Sequence, residues 1–310
     1  MQKIYIPIVI AFFAVLPIAS HAAPAKNCTV ANTVRDAAKA EGKRFSVVIE
    51  GPNSKDVQDV ILIPGLSSPR AVWEPTVAAL AGCYRIHSIQ IRGFGDDAGI
   101  NATGPVLDAF ITELADYIDD EIVGKGRGRP AIIGHSMGGL SAAMIAARYP
   151  LLVDRILIQD SLPFIGLLYS PYATVDAVRP QAAKMRDAGL AAGKQPATED
   201  VLQRMSATPD GRAQVAKWSD SADNHVSMQV FYDVLTTDIR PELPAIKASV
   251  TVLYPYDTIV GPVEQVDALY TNAYKGVGAL TMRRVDNSRH FIMIDQPAVF
   301  AEEVAAFLTK

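Results

Sequence analysis

The chain has 310 residues, of which 49% are hydrophobic and 20% are charged, and this balance suits one large globular domain or one domain that carries an insertion. The formal net charge is only −4, and no stripe of lysine or arginine is visible that could neutralise a run of phosphates. A nucleic-acid partner is therefore disfavoured, and a small neutral or apolar substrate fits the composition better.

The first 22 residues have the features of a secretory signal peptide. Lys3 supplies a positive charge, Ile4 to Ile18 form an apolar stretch, and Ser20-His21-Ala22 gives a small-x-small cleavage pattern. A retained membrane anchor is the alternative, but the apolar stretch contains two prolines and is short for a bilayer span. We expect cleavage after Ala22 and a mature protein in the periplasm or outside the cell, with no stable membrane anchor.

The chain contains two cysteines, Cys28 and Cys83. An exported compartment would allow them to form a disulfide, but two unrelated buried thiols are equally compatible with the sequence. The five histidines show no i, i+4 pairing and no cluster with cysteine, so we expect no metal site and no bound cofactor.

Strand and helix patterns alternate through most of the chain. The alanine-rich stretch Asn32 to Gly42 predicts a short helix, and the wholly apolar Val60 to Ile63 is typical of a strand buried on both faces. Further strands are predicted at 44–50, 84–91, 131–133, 155–158, 249–254 and 280–285, and helices at 107–122, 262–274 and 297–308. This alternation predicts an α/β fold, with a mostly parallel central sheet flanked by helices.

Residues 163–240 break this alternation with helical patterns rich in alanine, methionine and aspartate. We interpret them as a helical lid insertion. The predicted organisation is then a signal peptide at 1–22, a core formed by 23–162 and 241–310, and the lid at 163–240.

A short motif follows the predicted strand at 131–133. The sequence Gly134-His135-Ser136-Met137-Gly138 has the pattern G-x-S-x-G of a nucleophile elbow, a strand-to-helix turn that exposes a serine hydroxyl at the carboxyl end of a sheet. A serine hydroxyl is a weak nucleophile, and it needs a base, an acid that orients the base, and donors for the oxyanion.

The sequence offers candidates for the base and the acid at strand ends. Asp257 follows the strand 249–254, and His290 precedes the last helix, so the chain order is Ser, Asp, His, as on an α/β-hydrolase sheet. Asp160 also follows a predicted strand and is the alternative acid, but we favour Asp257.

Four segments together resemble the α/β-hydrolase superfamily over nearly the whole mature chain: residues 62–66, 92–95, 134–139 and 288–291. This resemblance implies that Ser136 is the nucleophile, His290 the general base and Asp257 the orienting acid. It also implies that the backbone N–H groups of Leu66 and Met137 form the oxyanion hole. Pro64 stands where many relatives have a histidine, a departure that leaves the N–H of Leu66 available as a donor.

The expected activity is that of an exported serine hydrolase that cleaves a carboxylic ester or lactone through an acyl-enzyme. The alternatives within enzymes are an amide or peptide hydrolase similar to proline iminopeptidases, a C–C bond hydrolase and a cofactor-free perhydrolase; a silent binding protein is the non-enzyme alternative. Serine at the elbow argues against a haloalkane dehalogenase or an epoxide hydrolase. We expect a packing role for His135, a structural capping role for Asp295, and leave open a pocket role for His225.

Overall fold

The computed structural model describes residues 36–38 and 44–309. The predicted signal peptide and Cys28 lie outside these residues, so signal cleavage and the pairing of Cys28 with Cys83 stay predictions. Within the described residues, no helix combines the length and apolar character that a membrane crossing requires.

One sheet of eight strands forms the centre of the molecule, in the order β1-β2-β4-β3-β5-β6-β7-β8. The pairs β1–β2 and β2–β4 are antiparallel, and all other neighbours are parallel. The strands are β1 (Asp36–Ala38), β2 (Phe45–Glu50), β3 (Asp59–Ile63), β4 (Arg85–Ile91), β5 (Ala131–His135), β6 (Arg155–Gln159), β7 (Ser249–Tyr256) and β8 (Leu280–Asp286). The predicted mostly parallel sheet is confirmed.

Ten α-helices lie in the described part of the chain, and they cover both faces of the sheet. They are α1 (Glu74–Leu80), α2 (Leu107–Ile118), α3 (Met137–Arg148), α4 (Val175–Ala192), α5 (Glu199–Met205), α6 (Pro209–Ser221), α7 (Asn224–Leu235), α8 (Val263–Ala273), α9 (Ile292–Asp295) and α10 (Pro297–Leu308).

The alternation of side chains along β3 shows how the two layers form. Ile61 and Ile63 join the apolar cluster that contains α2 and α3, whereas Val60 and Leu62 join the cluster that contains α1 and α10. All four side chains are fully buried. A strand buried on both faces is apolar throughout because neither face meets water, which is why this strand was visible in the sequence.

The predicted helix over 32–42 is wrong where the structure describes it. Asp36–Ala38 is a strand that pairs antiparallel with β2, with Asp36 opposite Ile49 and Ala38 opposite Val47. The edge of β2 would otherwise present unpaired N–H and C=O groups, and pairing with them outweighs the helix preference of alanine, which tertiary contacts readily override.

Residues 163–240, called here the helical segment, connect β6 to β7 and hold α4 to α7 without contributing a strand to the sheet. The hydroxyl or carboxylate of a Thr or Asp accepts a hydrogen bond from the first turn of each of these helices, a typical N-cap. α4 packs against α7, where Arg186 lies 4.5 Å from the ring centre of Tyr232. The segment is thus a helical layer of its own, and its role as a lid stays an interpretation.

Candidate active site

The turn from β5 into α3 holds Ser136 in a backbone conformation that is rare for a residue with a side chain. Its φ is 53° and its ψ is −120°. A Cβ added to Gly134 would lie 2.1 Å from the carbonyl oxygen of Gly138, and one added to Gly138 would lie 2.2 Å from that of Ile63. Only glycine fits at either position, and such strained turns concentrate at functional sites.

The loop after β3 passes directly beside this turn. A Cβ added to Gly65 would lie 3.2 Å from the Cβ of Ser136, so the next residue, Leu66, is held close to the serine. Within the described residues, neither the N–H of Leu66 nor that of Met137 donates a hydrogen bond. Two free N–H groups near a serine can bind an oxyanion, and the assignment of Leu66 and Met137 stays a prediction.

His290 lies between β8 and α9, and its ring contacts a carboxylate at the end of a neighbouring strand. Nδ1 of His290 is 2.6 Å from Oδ2 of Asp160, the residue that follows β6. The side chains are 23% and 14% exposed, respectively. With Nδ1–H donated to the carboxylate, Nε2 is the ring nitrogen that can act as a base.

The structure contradicts the expectation that Asp257 pairs with His290. Oδ2 of Asp257 accepts a hydrogen bond from Nε of Arg289 at 2.8 Å, and Oδ1 accepts from the N–H of Ile259 at 3.4 Å. Burial raises the pKa of Asp257, but the bonds from Arg289 and Ile259 outweigh it and hold the pKa below its ordinary value.

The strand order offers an aspartate on either side of the site. β6, which precedes Asp160, neighbours β5, and β7, which precedes Asp257, neighbours β8, the strand before His290. Strand order alone therefore does not choose between the two acids. The contact of Nδ1 of His290 with Oδ2 of Asp160 does, and the alternative acid, Asp160, is the carboxylate that the fold brings to His290.

Tyr270 is a residue of the site that the sequence analysis missed. Its hydroxyl donates to Oδ1 of Asp160, and the hydroxyl of Tyr274 donates to the carbonyl of Ser161 at 2.9 Å. Burial, and then the charge of Asp160, raise the pKa of Tyr270 well above its usual range, so it stays protonated and able to donate. The apolar spacing of Val266, Tyr270 and Ala273 along α8 was the available signal that this face is buried.

His135 packs behind the catalytic candidates rather than among them. Its ring centre lies 4.6 Å from that of His290 and 4.5 Å from that of Phe291, and its Nε2 is 3.1 Å from the carbonyl oxygen of His290. Burial lowers the pKa of His135 well below its ordinary value, so the ring is neutral. His225 is exposed in α7 and does not line the cavity that contains Ser136.

Asp295 ties the helical segment to the loop of His290. Its carboxylate accepts hydrogen bonds from the hydroxyl of Ser206 at 2.6 Å, from the N–H of Ala207 at 3.0 Å and from the N–H of Arg289 at 2.8 Å. A capping role alone was expected for this residue. The additional bonds fix the connection between α5 and α6 against the residue that precedes His290.

A cavity of about 300 Å³ opens at these residues. Ser136, Asp160 and His290 all line it. The remaining lining is mostly apolar and comes from the core and the helical segment: Met137, Leu140, Leu162, Ile165, Leu168, Met205, Val234, Pro255, Val260, Val266 and Leu269. In residues 36–38 and 44–309, no group of three or more histidines, cysteines or acidic residues is arranged to hold a metal ion.

The sequence pattern described as the alpha/beta hydrolase family matches residues 60–303. The chain belongs to this family. Among curated relatives, a Yersinia enterocolitica protein named as a carbamate hydrolase, RutD, is 29% identical over 117 residues, which are 38% of this chain and 41% of the relative. The match thus spans about two fifths of that relative's length.

Solved structures of the same fold cover the chain more completely. The enol-lactonase of Burkholderia xenovorans has a TM-score of 0.62 at 21% identity and covers 86% of this chain and 96% of its own. A thermophilic esterase of Thermogutta terrifontis has a TM-score of 0.66 at 19% identity, covering 90% of this chain and 98% of its own. At these identities the likeness establishes the fold.

Proposed function

We propose that this chain is a serine hydrolase that cleaves a carboxylic ester or a lactone through an acyl-enzyme intermediate. The observation that supports it best is the convergence of Ser136, His290 and Asp160 on one cavity, with Nδ1 of His290 2.6 Å from Oδ2 of Asp160. A serine in a strained turn, a histidine and a carboxylate that accepts from the ring of that histidine are the groups that acyl transfer needs.

In the proposed mechanism, the hydroxyl oxygen of Ser136 attacks the acyl carbon and its proton passes to Nε2 of His290. Asp160 accepts the hydrogen bond from Nδ1–H throughout and stabilises the imidazolium that forms. The N–H groups of Leu66 and Met137 bind the oxyanion. His290 then gives its proton to the leaving alcohol and activates the water that hydrolyses the acyl-enzyme.

The apolar lining of the cavity favours an ester or a lactone over an amide of a free amino acid. Ile165, Leu168 and Val234 of the helical segment line the cavity, and no carboxylate of that segment does. An apolar wall can hold an acyl chain, whereas a free ammonium group needs a carboxylate partner. Among the fold relatives, one is named an enol-lactonase and one an esterase, which agrees with this choice.

Labelling with a fluorophosphonate probe tests the nucleophile directly. We expect the folded wild-type protein to be labelled at Ser136 and to hydrolyse short nitrophenyl esters, because such probes react with activated serines. The Ser136→Ala variant should lose both. Ser141→Ala is the control variant, since the hydroxyl of Ser141 is buried in α3 and donates to the carbonyl of Met137 at 2.8 Å. Labelling that persists in Ser136→Ala would overturn the proposal.

We also propose that the protein acts after export, on the basis of the signal features in its first 22 residues. Expression of the full chain in a bacterial host, followed by N-terminal sequencing of the periplasmic fraction, tests it. A mature N-terminus at Ala23 supports export and cleavage. Retention of the intact chain in the cytoplasm contradicts both.

A further inference from the structure

Two cations lie among the residues that line the cavity, and their surroundings differ. Arg204 and Arg289 are the arginines among its lining residues. Nε of Arg289 donates to Oδ2 of Asp257 at 2.8 Å, and its Nη1 donates to the carbonyl of Gln203 at 2.6 Å. The charge of Arg289 is therefore neutralised by a carboxylate, and its guanidinium helps to hold the loop that precedes His290.

Arg204 has no such partner among the residues that the structure describes. No acidic side chain there lies within 4.0 Å of its guanidinium, and no hydrogen bond from its side chain is formed. The acidic residues near it on α5 do not compensate: Glu199 pairs with Arg212 at 3.3 Å, and Asp200 forms no ion pair. Arg204 is thus an exposed, unpaired cation among the residues that line the cavity.

The position of Arg204 beside His290 is fixed by the backbone. The carbonyl of Arg204 accepts a hydrogen bond from the N–H of His290 at 3.4 Å, and the carbonyl of Met205 accepts one from the N–H of Phe291 at 2.9 Å. The Asp295 carboxylate joins the following residues, Ser206 and Ala207, to the same loop. The backbone of Arg204 is therefore fixed next to the proposed base, and its exposed side chain lines the cavity without a contact that holds the guanidinium in one position.

We propose that Arg204 binds a carboxylate at the non-reacting end of the acyl chain, so that the substrate is an ester or lactone of a dicarboxylic acid. The inference rests on the proposed serine-hydrolase function. An apolar wall holds the methylene groups of such a chain, and a free guanidinium is suited to a terminal carboxylate. This narrows the neutral substrate expected from the sequence to one with an anionic end.

Two matched esters test this inference on the full-length mature protein: the nitrophenyl half-ester of adipic acid and its methyl-capped counterpart, which lacks the charge. We expect the wild type to prefer the half-ester about threefold to fivefold in kcat/KM, since water partly screens a contact with an exposed guanidinium. In Arg204→Gln the preference should fall to about one through a higher KM for the half-ester, with the methyl-capped ester unaffected. Arg204→Lys should retain part of the preference.

Lys184→Gln is the control, because it removes one positive charge from the exposed face of α4, away from the cavity lining. It should keep the preference, which separates a contact at Arg204 from a general change in charge. Added salt should reduce the wild-type preference and leave that of Arg204→Gln unchanged.

The outcomes separate this inference from the proposed function. If the wild type cleaves the methyl-capped ester but shows no preference for the half-ester, or if Arg204→Gln keeps the preference, the anchor is refuted and the serine hydrolase stands. If the wild type cleaves neither ester and Ser136 is not labelled, the proposed function fails and this inference fails with it.

Discussion

Two histidine–carboxylate pairs lie at opposite ends of the same sheet, and their surroundings differ. At the carboxyl end, Nδ1 of His290 is 2.6 Å from Asp160, and both residues line a cavity with Ser136. At the amino end, Nε2 of His87 is 2.8 Å from Oδ1 of Asp59. The side chains of His87 and Asp59 are 0% and 1% exposed, so no solvent and no substrate can reach them.

We call His87 and Asp59 the inner pair, and His290 and Asp160 the outer pair. Neighbouring groups surround the inner pair and complete its hydrogen bonds. Nδ1 of His87 accepts a hydrogen bond from the hydroxyl of Tyr117 at 2.7 Å. The carboxylate of Asp59 also forms ion pairs with Nη1 of Arg85 at 3.1 Å and with Nε of Arg127 at 3.0 Å. At the outer pair, the second ring nitrogen of His290 is left for chemistry. A histidine–carboxylate contact alone therefore does not identify an active site; access and an adjacent nucleophile do.

The largest effect is expected at the outer pair. Asp160→Asn should lower kcat on a nitrophenyl ester by about 10⁴-fold, because the amide favours the wrong tautomer of His290 and cannot stabilise its imidazolium. Asp257→Asn should lower kcat by less than about tenfold, since Asp257 pairs with Arg289 and acts on the loop only indirectly. Steady-state kinetics on both variants, with matched circular dichroism spectra, check this.

These two variants also test the corrected assignment. A loss of several orders of magnitude in Asp257→Asn, with near-normal turnover in Asp160→Asn, would restore Asp257 as the acid. Equal and small losses in both would instead show that the base is oriented by neither carboxylate.

At the inner pair, loss of the carboxylate should affect folding and leave catalysis intact. Asp59→Asn leaves Arg85 and Arg127 without their shared anion in a site where their side chains are 15% and 7% exposed. We expect the free energy of unfolding to fall by about 3–5 kcal/mol. The activity of each folded molecule should not change, because β3 separates Asp59 from the cavity by about 13 Å.

Asp154→Asn is the matched control for chemical unfolding at the same end of the sheet. Its carboxylate pairs with Arg155 and Arg129 but is 31% exposed, so solvent screens these contacts. A loss below about 1 kcal/mol is expected. Similar losses in the two variants would contradict the view that the inner pair stabilises the fold through its burial.

The buried histidines also make stability depend on pH. Burial lowers the pKa of His87, although the bond to Asp59 opposes this, and it lowers the pKa of His135 further. Below about pH 6.5 the folded chain therefore binds fewer protons at these two rings than the unfolded chain does. Because the unfolded state binds more protons, stability falls on acidification, by at most about 1.4 kcal/mol per pH unit for each histidine.

Urea unfolding between about pH 7.5 and about pH 5.5 measures this slope. Glutamine does not titrate, so His87→Gln should remove the contribution of His87 to the slope of the free energy of unfolding against pH. The variant should also lower stability at neutral pH. An unchanged slope in this variant would mean that His87 does not take part in the acid sensitivity.

The sequence predicts the features that depend on neighbouring residues, and it does not predict the contacts between residues far apart in the chain. The elbow at Ser136 and the buried strand at Val60 were visible because glycine spacing and apolar runs report local backbone and burial. The choice between Asp160 and Asp257 was not visible, because both follow a buried strand and the deciding fact is the contact of His290 with Asp160, 130 residues apart in the sequence. Packing of the whole chain sets such a contact, and the sequence near either aspartate does not reveal it.

The same limit explains the unpredicted partners of the site. Tyr270 meets Asp160 across 110 residues of sequence, and Asp295 meets Ala207 across 88. The spacing of apolar residues along α8 could predict that Tyr270 is buried, but not which carboxylate it reaches. The sequence also could not show that Arg204 is unpaired. The structure shows that the nearby carboxylates of Asp257 and Glu199 pair with Arg289 and Arg212 instead.

The smallest effect is expected when the hydrogen bond to one oxygen of Asp160 is removed and the bond to the other is kept. Tyr270→Phe removes the hydroxyl that donates to Oδ1 and leaves the bond from His290 to Oδ2 in place. The carboxylate then carries more of its charge toward His290 and favours the protonated ring. We expect kcat/KM to fall by less than about tenfold and the acidic limb of its pH profile to move by a few tenths of a pH unit to higher pH.

Tyr274→Phe is the control, because its hydroxyl donates to the carbonyl of Ser161 rather than to Asp160. It should cost stability as Tyr270→Phe does, since both tyrosines are buried, but leave the acidic limb where it is. A limb that moves equally in both variants would mean that loss of packing, and not loss of the donor to Asp160, changes His290. A limb that moves only in Tyr270→Phe would make Tyr270 a positioning residue that acts through the outer carboxylate.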